Sequence, residues 1–178
     1  MQFTIHGNAE IIDALSALCS ADDAIRHSTD TFGNAFHWFR LDTPRMALDA
    51  ASIMHKAGAR LCMTTAYNRR RLSEPMQEVC YHFELEGTVY TTVVTLNGEW
   101  PMVPSITSLF ANADWHEREM MELYGIEVAN QPNPHRLFLD EELDAGILNE
   151  AVPLSIMMNG ACTTDLWERI LKDKEQKA

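Results

Sequence analysis

One stretch constrains this chain more than any other. It runs from Ser108 to Asp140 and joins a short charged segment to an arm with two prolines. Asp114 can cap a helix, because its carboxylate can accept free N–H groups of the first turn. Glu117, three residues on, completes a capping box by reaching back to the cap's own N–H. The predicted helix runs from Trp115 to Tyr124. Gly125 stands where a C-terminal cap needs φ > 0, and Ile126 is expected to fold back on the last turn near Met121. Met120, Leu123 and Tyr124, with His116 one turn before them, give the helix one apolar side. Glu117, Arg118, Glu119 and Glu122 fill much of the rest. This crowding has two readings. One is a solvated face with an Arg118–Glu122 pair worth a few tenths of a kcal/mol. The other is a docking helix, because the chain continues through Pro132 and Pro134 to His135, Arg136 and the apolar run Leu137 to Leu139. Proline lowers the entropy lost when such an arm is ordered.

The same residues carry a family likeness. Trp115-His116-Glu117-Arg118-Glu119, followed by Met120-Met121, Glu122, Leu123-Tyr124 and Gly125, resembles the signature of the respiratory complex I 30 kDa subunit family, a component of NADH:quinone oxidoreductase. That family has relatives in membrane-bound, energy-converting nickel–iron hydrogenases. Glu117 to Gly125 fits the pattern at every fixed position. Downstream, the two places where the family usually carries basic residues hold Gln131 and His135, with Arg136 adjacent. More weakly, the resemblance extends from about His37 to Leu109, where Pro104-Ser105-Ile106 looks like the family's approach to its signature. It implies a small mixed β-sheet with helices packed on one face. It also implies a place in the cytoplasmic arm of a redox complex, packed on the large subunit that carries the quinone or nickel–iron site and near iron–sulfur subunits. Family members bind no cofactor themselves. On this resemblance Trp115, His116, Glu117, Arg118, Glu119, Glu122, Gly125, His135 and Arg136 form the partner interface. No basic residue lies between Arg136 and Arg169, where complex I members commonly have a basic, proline-containing segment. That departure leans the reading towards a hydrogenase complex.

Charge and cysteine usage narrow the alternatives. Lys and Arg number 14 against 26 Asp and Glu, a formal charge of −12, so nucleic acid and anionic membrane surfaces are poor partners. The local basic run Arg69 to Arg71 reads as a polar hairpin loop. Cys19, Cys62, Cys80 and Cys162 are scattered without metal-clip spacing, which suits buried thiols in a reducing compartment rather than an iron–sulfur site of this chain's own. The first ten residues lack the basic region and apolar core of a signal peptide, and no apolar run is long enough to cross a bilayer. The expected location is cytoplasmic, peripheral on the membrane through partners.

At 178 residues the chain can bury a core without staples. A first helix is predicted from Gly7 or Asn8 to about Cys19, and a polar irregular stretch from Asp22 to Asn34, in which His27 and Asp30 invite a metal reading outweighed by that of a solvated loop. Strands are predicted over Ala35–Leu41, Ala59–Tyr67, Gln77–Leu85 and Thr88–Leu96, the last two joined by Glu86-Gly87. A second helix starts with Thr43 and Pro44 and ends at Gly58. His37, His55 and His82 read as satisfied polar residues. Beyond the arm come an acidic run from Asp140 to Asp144, an apolar stretch from Val152 to Met158, and a last helix capped by Thr164 or Asp165 and running through Leu171. The order argues α+β, with an α+β domain over 1–128 and a C-terminal extended arm and helix over 129–178.

Motifs of autonomous catalysis do not appear: no GxGxxG after a strand, no phosphate-binding GKS or GKT loop, no HExxH and no GxSxG. A free-standing metal-dependent enzyme would need His116, Glu117 and His135 to meet in space. A third reading is a generic protein-binding module whose arm captures a soluble partner. The expected subunit is non-catalytic, with no cofactor bound by this chain.

Overall fold

The computed structural model describes residues 7–21, 23–68, 76–97, 101–139 and 145–146. The basic run Arg69–Arg71, the acidic run Asp140–Asp144, the apolar stretch Val152–Met158 and the predicted last helix lie outside the described residues. So does most of the proposed 129–178 segment.

A mixed five-stranded sheet forms the centre. In spatial order it runs β1 (Ile25–Thr29), β2 (Ala35–Arg40), β5 (Thr88–Asn97), β4 (Met76–Leu85) and β3 (Arg60–Asn68). Strands β2 and β5 are parallel and every other pair is antiparallel. Period-two alternation assigns the two faces. Val79, Tyr81 and Phe83 of β4 and Tyr90, Val94 and Leu96 of β5 point one way and are buried. Their cluster includes Ile11 and Leu15 of α1 (Asn8–Ser16), Ala47, Ala50, Ala51 and Met54 of α2 (Met46–Lys56), and Ala113 and Met120 of α3 (Ala113–Tyr124). The three helices among the described residues therefore cover the same face. Small alanines along α2 let its backbone approach the sheet closely. A short parallel pair, β6 (Met102–Pro104) with β7 (Glu127–Ala129), adds Val103 and Val128 to this core.

The Glu86–Gly87 loop between β4 and β5 has both residues left-handed, with φ of 49° and 80°, as a two-residue primed hairpin turn requires. Gly58 ends α2 at φ 80°. Helix α2 begins at Met46, two residues beyond Pro44, because Thr43 to Arg45 form a separate turn whose carbonyls accept from Met46, Ala47 and Leu48. Helix α1 stops at Ser16, three residues short of the predicted end, and Leu18 and Cys19 close tighter turns onto Leu15 and Ser16.

Two further features depart from the sequence reading. The first is β1, inside a stretch expected to be irregular throughout. Only Ile25 of its five residues is apolar, since β1 is an edge strand paired with β2 alone. The loop expectation holds for Asp30 to Asn34, where Asp30 Oδ1 accepts from the Phe32 and Asn34 N–H groups at 2.8 and 2.9 Å. Those bonds engage the Asp30 carboxylate in its own turn. The second is a bulge in β3. Leu61 faces Phe83 and Thr64 faces Tyr81, so both lie on the helix side although they are three residues apart. The extra residue, Cys62, is exposed, and Met63 turns to the opposite face, where it is 46% exposed.

The opposite face, on which none of the described helices packs, carries a polar network. Arg40 Nη1 donates to buried Glu78 at 2.6 Å and to Thr95 at 2.9 Å, and Tyr67 also donates to Glu78. His82 Nδ1 meets Thr91 Oγ1 at 2.9 Å, and Trp38 sets its edge against the His82 ring. Burial holds His82 below the ordinary imidazole range. It does the same for His37, with His27 adding to the effect. Because these folded-state values are lowered, the unfolded chain binds more protons once pH falls through the unfolded value near 6.5. Stability should therefore hold above that pH and decline below it. Urea titrations from pH 7.5 to 5 should show this decline, and His82→Gln should make it shallower.

Candidate functional site

The segment singled out by sequence forms α3 and the chain on either side of it, and its charged residues act on the chain's own backbone. The helix is pinned to the sheet at both ends. Asn112 Nδ2 donates to the Leu61 carbonyl at 2.9 Å, and Gln77 Nε2 donates to the Tyr124 carbonyl at 2.8 Å. Gly125 adopts φ 63° and its N–H reaches the Met121 carbonyl, the left-handed cap expected of it. Ile126 is buried just beyond, with its N–H on the Met120 carbonyl.

The N-terminal cap differs from expectation. The chain enters α3 through successive turns, and Asn112, the residue before the helix, is already right-handed at φ −71°, ψ −11°. A side-chain cap needs an extended residue there, so none forms. The Ala113 N–H is satisfied by the Phe110 carbonyl instead. Asp114 lies inside the first turn and pairs with Arg118 at 3.6 Å. The predicted capping box is thus absent, and both of its carboxylates have other partners.

Glu117 is 1% exposed and turns into the body of the protein. Its Oε1 accepts the Ile106 N–H at 2.7 Å. Its Oε2 accepts from Ser105 Oγ at 2.7 Å, Thr107 Oγ1 at 2.9 Å and Gln131 Nε2 at 3.0 Å. Burial pushes this carboxyl up, and the donors from Ser105, Ile106 and Thr107 act in the opposite sense. Gln131 occupies one of the two positions that depart from the family pattern. In this chain its neutral amide closes the network, and its Oε1 accepts the Asn133 N–H at 2.9 Å.

Arg118 and Glu122 hold the arm. Arg118 donates through Nε to the His135 carbonyl at 2.7 Å and through Nη2 to the Arg136 carbonyl at 2.6 Å. One turn later, Glu122 Oε2 accepts the Leu137 N–H at 2.9 Å, and its two oxygens lie 3.3 to 3.5 Å from the Phe138 and Leu139 nitrogens. The Glu122 carbonyl accepts the Gly146 N–H at 2.8 Å, which returns the chain to the same turn. The expected Arg118–Glu122 surface pair is therefore replaced. The cation takes backbone carbonyls and the anion takes backbone N–H groups of one passing segment. Glu122 is only 3% exposed, so these bonds are charge-assisted and largely shielded from water.

The remaining site residues lie outside this clamp. His116 and Glu119 line a groove of about 240 Å³ between α3 and β3, together with Thr64, Leu123 and Tyr124. Trp115 is 67% exposed and Phe138 is 60% exposed. His116 and His135 do not converge on Glu117: His116 faces the groove, His135 engages Arg118 through its carbonyl, and both Glu117 oxygens are taken. Among the described residues no group of three His, Cys, Asp or Glu side chains is placed to hold a metal ion. No helix among them is long and apolar enough to cross a membrane. Sequence reasoning missed Ser105, Thr107 and Gln131 as partners of Glu117. The available signal was a pair of hydroxyl residues, Ser105 and Thr107, in the approach to the helix that carries the glutamate. Phe138, within the apolar run Leu137 to Leu139, is exposed.

Residues 41–160 match the family model for the respiratory-chain NADH dehydrogenase 30 Kd subunit. The chain is 43% identical over 58 residues to the C subunit of NADH-quinone oxidoreductase from Rhodopseudomonas palustris (strain TIE-1), an alignment covering 33% of this chain and 28% of that relative. It is 29% identical over 154 residues to the corresponding subunit from Roseiflexus sp. (strain RS-1), covering 83% of this chain and 84% of that one. The fold resembles that of the trypsin-resistant fragment of Nqo5, with TM-score 0.51 and 18% identity over 70% of this chain and 97% of that one. It also resembles a chain of the membrane-bound sulfane sulfur reductase, an archaeal respiratory membrane complex, with TM-score 0.54 and 14% identity over 75% of each chain.

Glu117→Ala should leave the Ile106 N–H and two hydroxyls without their acceptor. An unsatisfied buried group costs about 1–3 kcal/mol, so a loss of at least that size is expected in urea unfolding. Arg118→Ala and Glu122→Gln should act locally. Hydrogen exchange at Leu137 to Leu139 should accelerate far more than the global unfolding midpoint moves.

Proposed function

Because the chain belongs to the respiratory-chain NADH dehydrogenase 30 kDa subunit family, matched over residues 41–160, we propose that it is a non-catalytic docking subunit of a complex I-like, membrane-associated redox complex. In this reading it packs on the large subunit and beside iron–sulfur subunits, on the cytoplasmic side of the membrane, and supports electron transfer by holding them in register. The observation behind this reading is the clamp. Arg118 and Glu122 make main-chain hydrogen bonds to one arm and fix its path along α3. A rigid arm loses little conformational entropy when a neighbour covers it.

The charged signature then acts through the arm rather than by touching the partner. Glu117 sets the approach to α3, while Arg118 and Glu122 set the arm. The groups left for a neighbour are the exposed Trp115 and Phe138, with His116 and Glu119 along the adjoining groove. Exposed aromatic anchors beside a fixed backbone have the composition of interface hot spots. Trp38, Met63 and Tyr67, each more than 40% exposed on the sheet face opposite the described helices, offer a second apolar area for a large partner. Glu117 and Glu122 are both engaged by donors from the chain itself, which accords with a subunit that does no chemistry of its own.

Affinity purification of the chain from intact cells, followed by mass spectrometry, tests this. A large subunit and iron–sulfur subunits should co-purify, and their identity distinguishes a NADH:quinone oxidoreductase from an energy-converting hydrogenase. Recovery of a lone monomer would overturn the reading. Trp115→Ala and Phe138→Ala should each weaken retention of the large subunit by about 2 kcal/mol or more, the scale of an interface hot spot, without changing the folded state.

A further inference from the structure

Away from α3, at the outer edge of the sheet, two imidazoles face each other. His27 of β1 and His37 of β2 are directly opposed in the antiparallel ladder, and their Nδ1 atoms are in contact. Both rings are set by aromatic packing. His37 stacks on Tyr90, with centroids 5.3 Å apart and planes 26° apart. His27 lies with its edge to Phe39 at 6.4 Å and to His37 at 4.7 Å. Tyr90 and Phe39 are both fully buried, so the rings rest on fixed neighbours. The sequence suggested His27 with Asp30 as a pair, but Asp30 is engaged in its own turn and His37 takes its place.

We propose that His27 and His37 form a bidentate site for one borderline divalent transition cation of the zinc class, chelated between β1 and β2 with water in the remaining positions. Imidazole nitrogen is the donor that such ions favour, at about 2.0–2.1 Å from zinc. The two Nδ1 atoms are already neighbours, so admitting the ion needs the rings to separate and turn towards it. No third protein ligand stands among the described residues, so the coordination stays open. The net charge of −12 raises the local concentration of cations. The ion would staple the edge strand β1 to β2, which otherwise holds it through five backbone pairings and a tight loop.

Calorimetric titration of the untagged full chain with zinc at pH 7.5 tests this. One equivalent should bind saturably. Changes to outer-shell groups alone cost about 10–100-fold in metal affinity, so His27→Gln and His37→Gln should each weaken binding by at least about tenfold. Binding should also weaken at pH 5.5, where protons compete for the ligands. His27 is exposed, so His27→Gln preserves the fold, as circular dichroism can verify. Absence of saturable binding overturns the proposal. So does a His27→Gln protein that binds as tightly as the parent, or a site abolished by Cys62→Ser at the exposed bulge thiol instead.

Discussion

A buried carboxylate organises the part of this molecule that distinguishes it from a generic sheet-and-helix domain. Glu117 lies among four donors from two separate places in the chain, the approach to α3 and the arm after it. A charge removed from water is tolerated only when its lone pairs are met. Here each donor fixes a piece of backbone that has no regular structure to fix it. Residues 105–107 are set by Ser105, Ile106 and Thr107, and the start of the arm is set by Gln131. Once these are placed, α3 can lie only where Asn112 reaches Leu61 and Tyr124 reaches Gln77.

The consequence runs along the helix. With Glu117 turned inward, Arg118 and Glu122 emerge on the side where the arm passes. One side chain offers donors and the other offers acceptors, and a stretch of backbone needs both. The arm follows α3 by main-chain hydrogen bonds, and Phe138 is left 60% exposed. A charged helix that looks in sequence like a solvated surface is therefore an internal scaffold whose outward products are aromatic. That division, charges inward and rings outward, is the physical basis for reading the segment as a seat for a neighbouring subunit.

Much of this was legible in the order of residues. The β4–β5 hairpin followed from two alternating runs around Glu86-Gly87, and the end of α3 followed from Gly125, because both depend on local backbone chemistry. The edge strand β1 was hidden, since a strand with one neighbour and little burial has no reason to alternate. The Cys62 bulge was hidden as well: one extra residue shifts the phase of a strand without changing its composition. The cap of α3 was misread for a related reason. Asp114 and Glu117 have the right spacing for a capping box, but the chain arrives at the helix already turning, and tertiary donors compete more strongly for Glu117 than the local N–H. Spacing shows which bonds are possible, and the path of the preceding chain decides which are made.

The bulge in β3 has a bearing on how this sheet border meets another extended chain. Strand β3 borders the sheet on the α3 side, and an unbroken border of that kind is a template on which another extended chain can polymerise. Cys62 interrupts the regular spacing of unpaired amides there, and Arg60, held to Glu84 at 2.6 Å, places charge at the same end. Both features disfavour ribbon-like stacking of a second extended chain along that border.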